Sequence, residues 1–192
     1  WAFDDVDRYM GAGDAGHTQV YVITAQKGVG KSGIAAQLSI KKYVVAHFFC
    51  AHDDTQRRDP LRLVMTFAMH LSERLPGFGD RLLARARERR WSFERLLRGD
   101  DSDGSDNGQR RNVAELFDLL LVETLSAIEP PADGKPVALL IDALDECEYR
   151  GRNELLKLLR RKLGELPTWA RLVVTTRPSG GAGGRKGNDI LE

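Results

Sequence analysis

Residues 25–32 read Ala25-Gln26-Lys27-Gly28-Val29-Gly30-Lys31-Ser32. The pattern G-x-x-x-x-G-K-[ST], placed between a strand and a helix, is a phosphate-binding loop. Gly30, Lys31 and Ser32 fit it, Gly28 adds a flexible position, Gly33 follows, and Ala25 stands where the first glycine is usual. The chemistry follows from geometry. Glycines let the backbone curl until successive N–H groups face phosphate oxygens, and the N-terminus of the following helix adds positive character. Lys31 is then placed to bridge β- and γ-phosphates, and the Ser32 hydroxyl to ligate Mg²⁺. Ala25 suits its position only if φ there is negative.

A second group closes the apolar run Val137-Ala138-Leu139-Leu140-Ile141 with Asp142, followed by Ala143-Leu144-Asp145-Glu146. A carboxylate at the C-terminal end of a buried strand lies at the edge where open α/β sheets bind ligands. Asp142 is thus the candidate Mg²⁺-side acid, with Ser32. Asp145 and Glu146 are placed to orient or deprotonate a water that attacks a γ-phosphate. A third strand ends in Val173-Val174-Thr175-Thr176-Arg177-Pro178. Thr176 and Arg177 should emerge at the same edge, where Arg177 can read phosphate through a charge-assisted bond.

The elements that position these groups follow from periodicity. Val20–Thr24 is β-branched and aromatic, as a strand should be. A helix runs from Lys31 to about Val45, and Val44–Cys50 reads as a second strand. Asp59-Pro60 opens an amphipathic helix through Leu75, and residues 80–98 make another. Residues 99–112 contain no apolar side chain and are expected to form a mobile surface loop or insertion. Helices over 113–128 and 153–166, strands over 137–141 and 172–175, a short N-terminal helix that Asp4 could cap, and a strand beginning at 189–192 complete the expectation. Strand–helix alternation implies an α/β fold, with a parallel sheet between two helical layers and an additional helical block near 61–128.

The 192 residues suit one domain, and 42% apolar against 30% charged residues excludes a disordered chain. A net charge of +1 gives no pull toward nucleic acid or an anionic membrane, and the basic clusters Arg57-Arg58, Arg110-Arg111 and Arg160-Arg161-Lys162 lack interleaved aromatics, so no clear nucleic-acid site is expected. No apolar stretch is long enough to span a bilayer, and no secretory leader is evident. The two cysteines, Cys50 and Cys147, are too few for a disulfide scaffold and read as reduced core-edge residues. His17, His47, His52 and His70 have no metal-binding spacing. Asp100, Asp101, Asp103 and Asp106 do not complete a calcium loop, since the twelfth position from Asp103 is Ala114.

Taken together, Ile23–Ser32, Ile141-Asp142-Ala143-Leu144-Asp145-Glu146-Cys147 and Val174–Pro178 resemble the NACHT branch of the STAND P-loop NTPases. The likeness extends to His47-Phe48-Phe49-Cys50 and Asp59-Pro60, and covers roughly residues 18–178, with 77–112 least matched. The resemblance implies a three-layer P-loop NTPase fold whose strand order runs from the phosphate-loop strand to the Arg177 strand, the Asp142 strand and the 44–50 strand. It implies an intracellular, cytoplasmic switch that holds ADP at rest, exchanges it for ATP, hydrolyses slowly with Mg²⁺, and acts within a longer chain that self-oligomerises. Asp142 would be the metal-side acid, Asp145 and Glu146 the hydrolytic acids, Arg177 the phosphate sensor, and Ala25 to Gly33 the nucleotide cradle. The helical and winged-helix parts that follow the last strand in that family are absent, so a domain shortened at its C-terminal end is expected. Two rivals remain: a scaffold with a vestigial nucleotide site, and a P-loop kinase with Arg85, Arg87, Arg89 and Arg90 on a lid. ATP over GTP rests on the resemblance alone.

Overall fold

Val137-Ala138-Leu139-Leu140-Ile141 and Leu172-Val173-Val174 are apolar at every position, which only a strand covered on both faces can use. The computed structural model, which describes residues 2–12, 18–88, 113–148 and 150–178, builds them into such strands. Four parallel strands, β1 (Val20–Thr24), β2 (Val44–Phe49), β3 (Val137–Asp142) and β4 (Ala170–Thr176), form one sheet in the order β1-β4-β3-β2. The helices are α1 (Ala2–Gly11), α2 (Lys31–Ser39), α3 (Pro60–Arg74), α4 (Phe78–Glu88), α5 (residues 113–126) and α6 (Glu154–Lys162).

Alternate strand residues feed two cores. Val137, Leu139 and Ile141 of β3 join Leu172 and Val174 of β4 under α3, α5 and α6, around Phe67, Phe117 and Leu159. Ala138, Leu140 and Val173 face the other way, onto Ala35 and Leu38 of α2 and Val6, Tyr9 and Met10 of α1. The architecture is therefore α/β, with helices on both faces of a parallel sheet. The helical block between β2 and β3 is no appendage, because α3, α4 and α5 contribute a large share of one face's core.

Local chemistry sets several boundaries. Asp59 caps α3 by accepting from the Leu61 N–H at 2.9 Å, ahead of Pro60. Asn153 does the same for α6 through the Leu156 N–H at 2.8 Å. α2 is shorter than expected: it stops at Ser39 rather than running to about Val45. Two tight turns follow, Lys41 N–H to the Leu38 carbonyl at 2.9 Å and Val44 N–H to the Lys41 carbonyl at 3.0 Å, before β-branched Val44 and Val45 take up the strand. Asp4 lies inside the first turn of α1 and not at its cap. α5 widens into a π-helical stretch over Asp118–Val122, where the buried Thr124 hydroxyl donates to the Leu119 carbonyl at 3.1 Å. The expectations for 89–112 and 189–192 lie outside the described residues, as does His17.

Polar latches hold the N-terminal parts to the sheet. The Gln19 amide donates to the carbonyls of Leu166, Pro167 and Ala170, each at 3.1 Å. Arg171, 2% exposed, donates to the carbonyls of Tyr9 and Ala12 and lies 4.9 Å over the Tyr9 ring. It thereby satisfies carbonyls at the end of α1 that the helix itself leaves unpaired. Asp7 accepts from the Tyr43 hydroxyl at 2.7 Å and from Lys41 at 3.0 Å, which hold its carboxyl below the usual carboxylate range.

His47 of β2 and His70 of α3 stack with ring centroids 4.5 Å apart, and the His47 N–H donates to His70 Nδ1 at 3.3 Å. Burial, and then the neighbouring cations, push both imidazoles down. His47 Nδ1 is buried with no partner, so a proton there has no acceptor. In the unfolded chain histidine titrates near ~6.5. Below that pH the unfolded state binds protons that the folded state refuses, so stability must fall as pH drops from about 6.5 toward the lower folded values. Thermal midpoints between pH 7.5 and 5.5 check this. His70→Gln, which keeps an acceptor, is expected to flatten the slope, and an unchanged slope would refute the assignment.

Candidate functional site

Parallel pairing places the C-terminal ends of β1, β4 and β3 side by side. Thr24 stands opposite Thr176, Ile23 opposite Thr175, and Ile141 opposite Val174. The Ala25 N–H donates to the Thr176 carbonyl at 3.4 Å, so the loop leaves the sheet beside the start of the Arg177 segment. Residues 26–30 are exposed. Gly28 and Gly30 have φ of +85° and +88°, and a Cβ on either would meet nothing within 4 Å. Glycine is needed there for its backbone, and the space over the loop is open. Ala25 is not among the positive-φ residues, which is the condition under which it can replace glycine.

Gly30 is the N-cap of α2 and offers no side chain to the first-turn N–H groups of Lys31, Ser32 and Gly33. The Lys31 ammonium folds back over the loop and donates to the carbonyls of Ala25 and, at 2.9 Å, of Gln26.

Asp142 ends β3 and is 3% exposed. Its Oδ1 accepts from the hydroxyl of Thr175, which is wholly buried and in turn accepts from the Ala143 N–H at 2.9 Å. Ala143 adopts a left-handed conformation, with φ of 54°. That bend turns the chain into the short 3-10 helix Leu144–Cys147, which carries Asp145 and Glu146. The Asn153 amide secures this turn through the Leu144 carbonyl at 2.7 Å.

Arg177 closes the arrangement. Its backbone N–H donates to Asp145 Oδ1 at 3.0 Å, its Nε lies 3.1 Å from Asp145 Oδ2, and its Nη2 donates to Glu146 Oε1 at 2.7 Å. His52 Nδ1 lies 3.5 Å from the remaining oxygen, Glu146 Oε2. The residues singled out on the second and third strand ends thus converge, though the guanidinium faces two acids instead of standing alone. Thr175, His52 and Asn153 were not anticipated. A threonine directly after the apolar run Leu172–Val174 is the one signal that could have drawn attention to Thr175, since a buried hydroxyl needs a partner.

Thr175→Val keeps the shape and deletes the hydroxyl, leaving a buried carboxylate oxygen and the Ala143 N–H unmatched. Such losses cost about 1–3 kcal/mol, so a midpoint lowered by several degrees is expected in thermal unfolding. A neutral variant would show that the hydroxyl holds neither group.

Among the described residues no three His, Cys, Asp or Glu side chains converge on a metal, and no helix is long and apolar enough to cross a membrane. Arg85, once a candidate lid residue, pairs with Glu123 of α5 at 3.6 Å, against the helical block.

No curated protein matches the chain. The family described as Nephrocystin 3, N-terminal, matches residues 1–177. That is the family identified, in place of the NACHT branch that the motifs resemble. The match takes in all four strands, the glycine-bearing loop and the acid–arginine cluster, and the chain belongs to the Nephrocystin 3, N-terminal, family.

Proposed function

We propose that the chain is a nucleotide-binding switch domain of the P-loop class, related to the NACHT-type STAND NTPases, which binds ATP and ADP with Mg²⁺ and hydrolyses ATP slowly. The observation that carries the reading is the loop between β1 and α2. Two left-handed glycines, open space above them, an uncapped helix N-terminus and the Lys31 ammonium all lie within six residues. Unpaired helix N–H groups with an adjacent cation suit a polyphosphate.

Ser32 and Asp142 would hold Mg²⁺, which supplies charge neutralisation at the phosphates when bound. This ion commonly takes one or two protein ligands and completes its shell with phosphate and water. Residues 25–33 would line the phosphates. Glu146 would orient the attacking water and accept its proton. Arg177 would exchange its acid partners for the terminal phosphate, so that nucleotide state is read at the turn carrying Asp145 and Glu146. In this reading the domain works inside the cell, as part of a longer chain that self-associates.

Titration with fluorescent ATP and ADP, with and without Mg²⁺, tests the proposal. Micromolar binding followed by measurable phosphate release supports a working switch. Binding without release favours the scaffold with a vestigial site, and no binding in the intact protein would overturn the nucleotide reading.

A further inference from the structure

Cys50 and Cys147 are the chain's two cysteines, and the fold brings them together from 97 positions apart. Cys50 follows β2, and its N–H donates to the Asp142 carbonyl at 3.0 Å, which ties it to the end of β3. Cys147 closes the short helix that carries Asp145 and Glu146. Both are 4% exposed, and their sulfurs lie 2.7 Å apart. The cover over them is thin. Cys147 Sγ lies 3.8 Å from the carbonyl of Arg57, within the exposed one-turn helix Gln56–Arg58. That turn is held by Asp54 Oδ1, which accepts from the Gln56 N–H at 2.8 Å, and by Arg57 Nε on the Phe49 carbonyl at 2.8 Å.

We propose that Cys50 and Cys147 form a reversible oxidation site that a small hydroperoxide closes into an intramolecular disulfide. Opening of the Gln56–Arg58 turn uncovers Cys147 first. Its sulfur, giving up its proton, attacks one peroxide oxygen. The O–O bond breaks, the distal oxygen leaves as water with that proton, and Cys147 becomes a sulfenic acid. The Cys50 sulfur then attacks the sulfenic sulfur, the S–O bond breaks, and the hydroxyl leaves as water with the Cys50 proton. Two thiols and one hydrogen peroxide become one disulfide and two waters. The sulfurs lose two electrons and the peroxide oxygens gain them. The hydrogen bond with the Cys147 sulfur, and then burial, push the Cys50 thiol up, so Cys50 reacts only once the turn has opened.

The bond would pin the acid-bearing turn to the exit of β2, with Asn153 already holding its other end. The inference does not rest on nucleotide binding and can fail separately from it.

The test treats the native protein with hydrogen peroxide, blocks remaining thiols with N-ethylmaleimide in denaturant, and reads intact mass, a non-reducing peptide map and, on a portion kept folded, the thermal midpoint. The expected result is loss of two hydrogens, no maleimide adduct, a linked Cys50–Cys147 peptide and a midpoint raised by several degrees, all reversed by dithiothreitol. Two maleimide adducts after prolonged oxidation, or sulfinic acid without linkage, would overturn the proposal. Cys147→Ser and Cys50→Ala should each lose the thermal rise. The same rise in whichever of them folds would also overturn it.

Discussion

Lys31→Ala is expected to remove nucleotide binding while leaving the fold nearly unchanged. Charge-assisted hydrogen bonds are worth ~1.5–3 kcal/mol each. Loss of contacts to two phosphates therefore costs about 3–6 kcal/mol, or roughly 10²–10⁴-fold in Kd. The structure explains why the fold should survive. The ammonium's partners are the carbonyls of Ala25 and Gln26, in a loop that is largely open to water. Those carbonyls can turn to solvent when the ammonium is gone, so a shift of a degree or two in the thermal midpoint is all that the deletion should produce. Equal ATP affinity in the wild type and the variant, measured in the same titration, would refute the role of Lys31.

The second large effect is expected at the paired acids, and the two should behave differently. Both Asp145 oxygens are occupied by Arg177, one through its backbone N–H and one through Nε. Glu146 gives one oxygen to Arg177 and has only the exposed imidazole of His52, 3.5 Å away, beside the other. Glu146 is thus the freer acceptor for a water proton, whereas Asp145 is a positioning residue for Arg177. Glu146→Gln should keep ATP and ADP binding within a few-fold and slow turnover by roughly 10²–10⁴, the usual contribution of a general base. Asp145→Asn should slow turnover less and change the ratio of ATP to ADP affinity, because it releases the guanidinium proposed to read the terminal phosphate. Phosphate release by single turnover, with binding measured alongside, separates the two. Normal turnover in both variants would remove the acids from the reaction.

Much of the sheet was legible because the runs Val137–Ile141 of β3 and Leu172–Val174 of β4 are apolar without alternation, a signature of strands buried on both faces. The order β1-β4-β3-β2 came with the resemblance and not from periodicity, which says nothing about neighbours. The end of α2 was not legible. Ile40, Lys41 and Lys42 continue a helical pattern, and the tight turns that stop it use backbone groups with no side-chain marker. In the candidate site, spacing alone drew out Lys31, Ser32 and Asp142, since a loop of fixed length or a strand end carries each. It could not pair Arg177 with Asp145 and Glu146, which lie 32 and 31 positions away. It missed the contact of Cys50 with Cys147 for the same reason. Pairings of this kind depend on which strands become neighbours, and that is decided by the whole sheet.

That neighbour relation also sets a timetable. Among the described residues β1 pairs with β4, Val20 opposite Leu172, across an intervening 151 residues that include β2 and β3. The anchor beneath it, Gln19, likewise reaches Leu166, Pro167 and Ala170. During synthesis at ~5–20 residues per second, the first strand made therefore waits about 8–30 s for its partner. Until β4 arrives, the loop with Lys31 has no sheet edge to spring from, however complete its own residues are. Pairings this distant in sequence are slow to close. The arrival of β4 is thus what assembles the candidate site, and a newborn chain would gain affinity for the proposed nucleotide in a single late step.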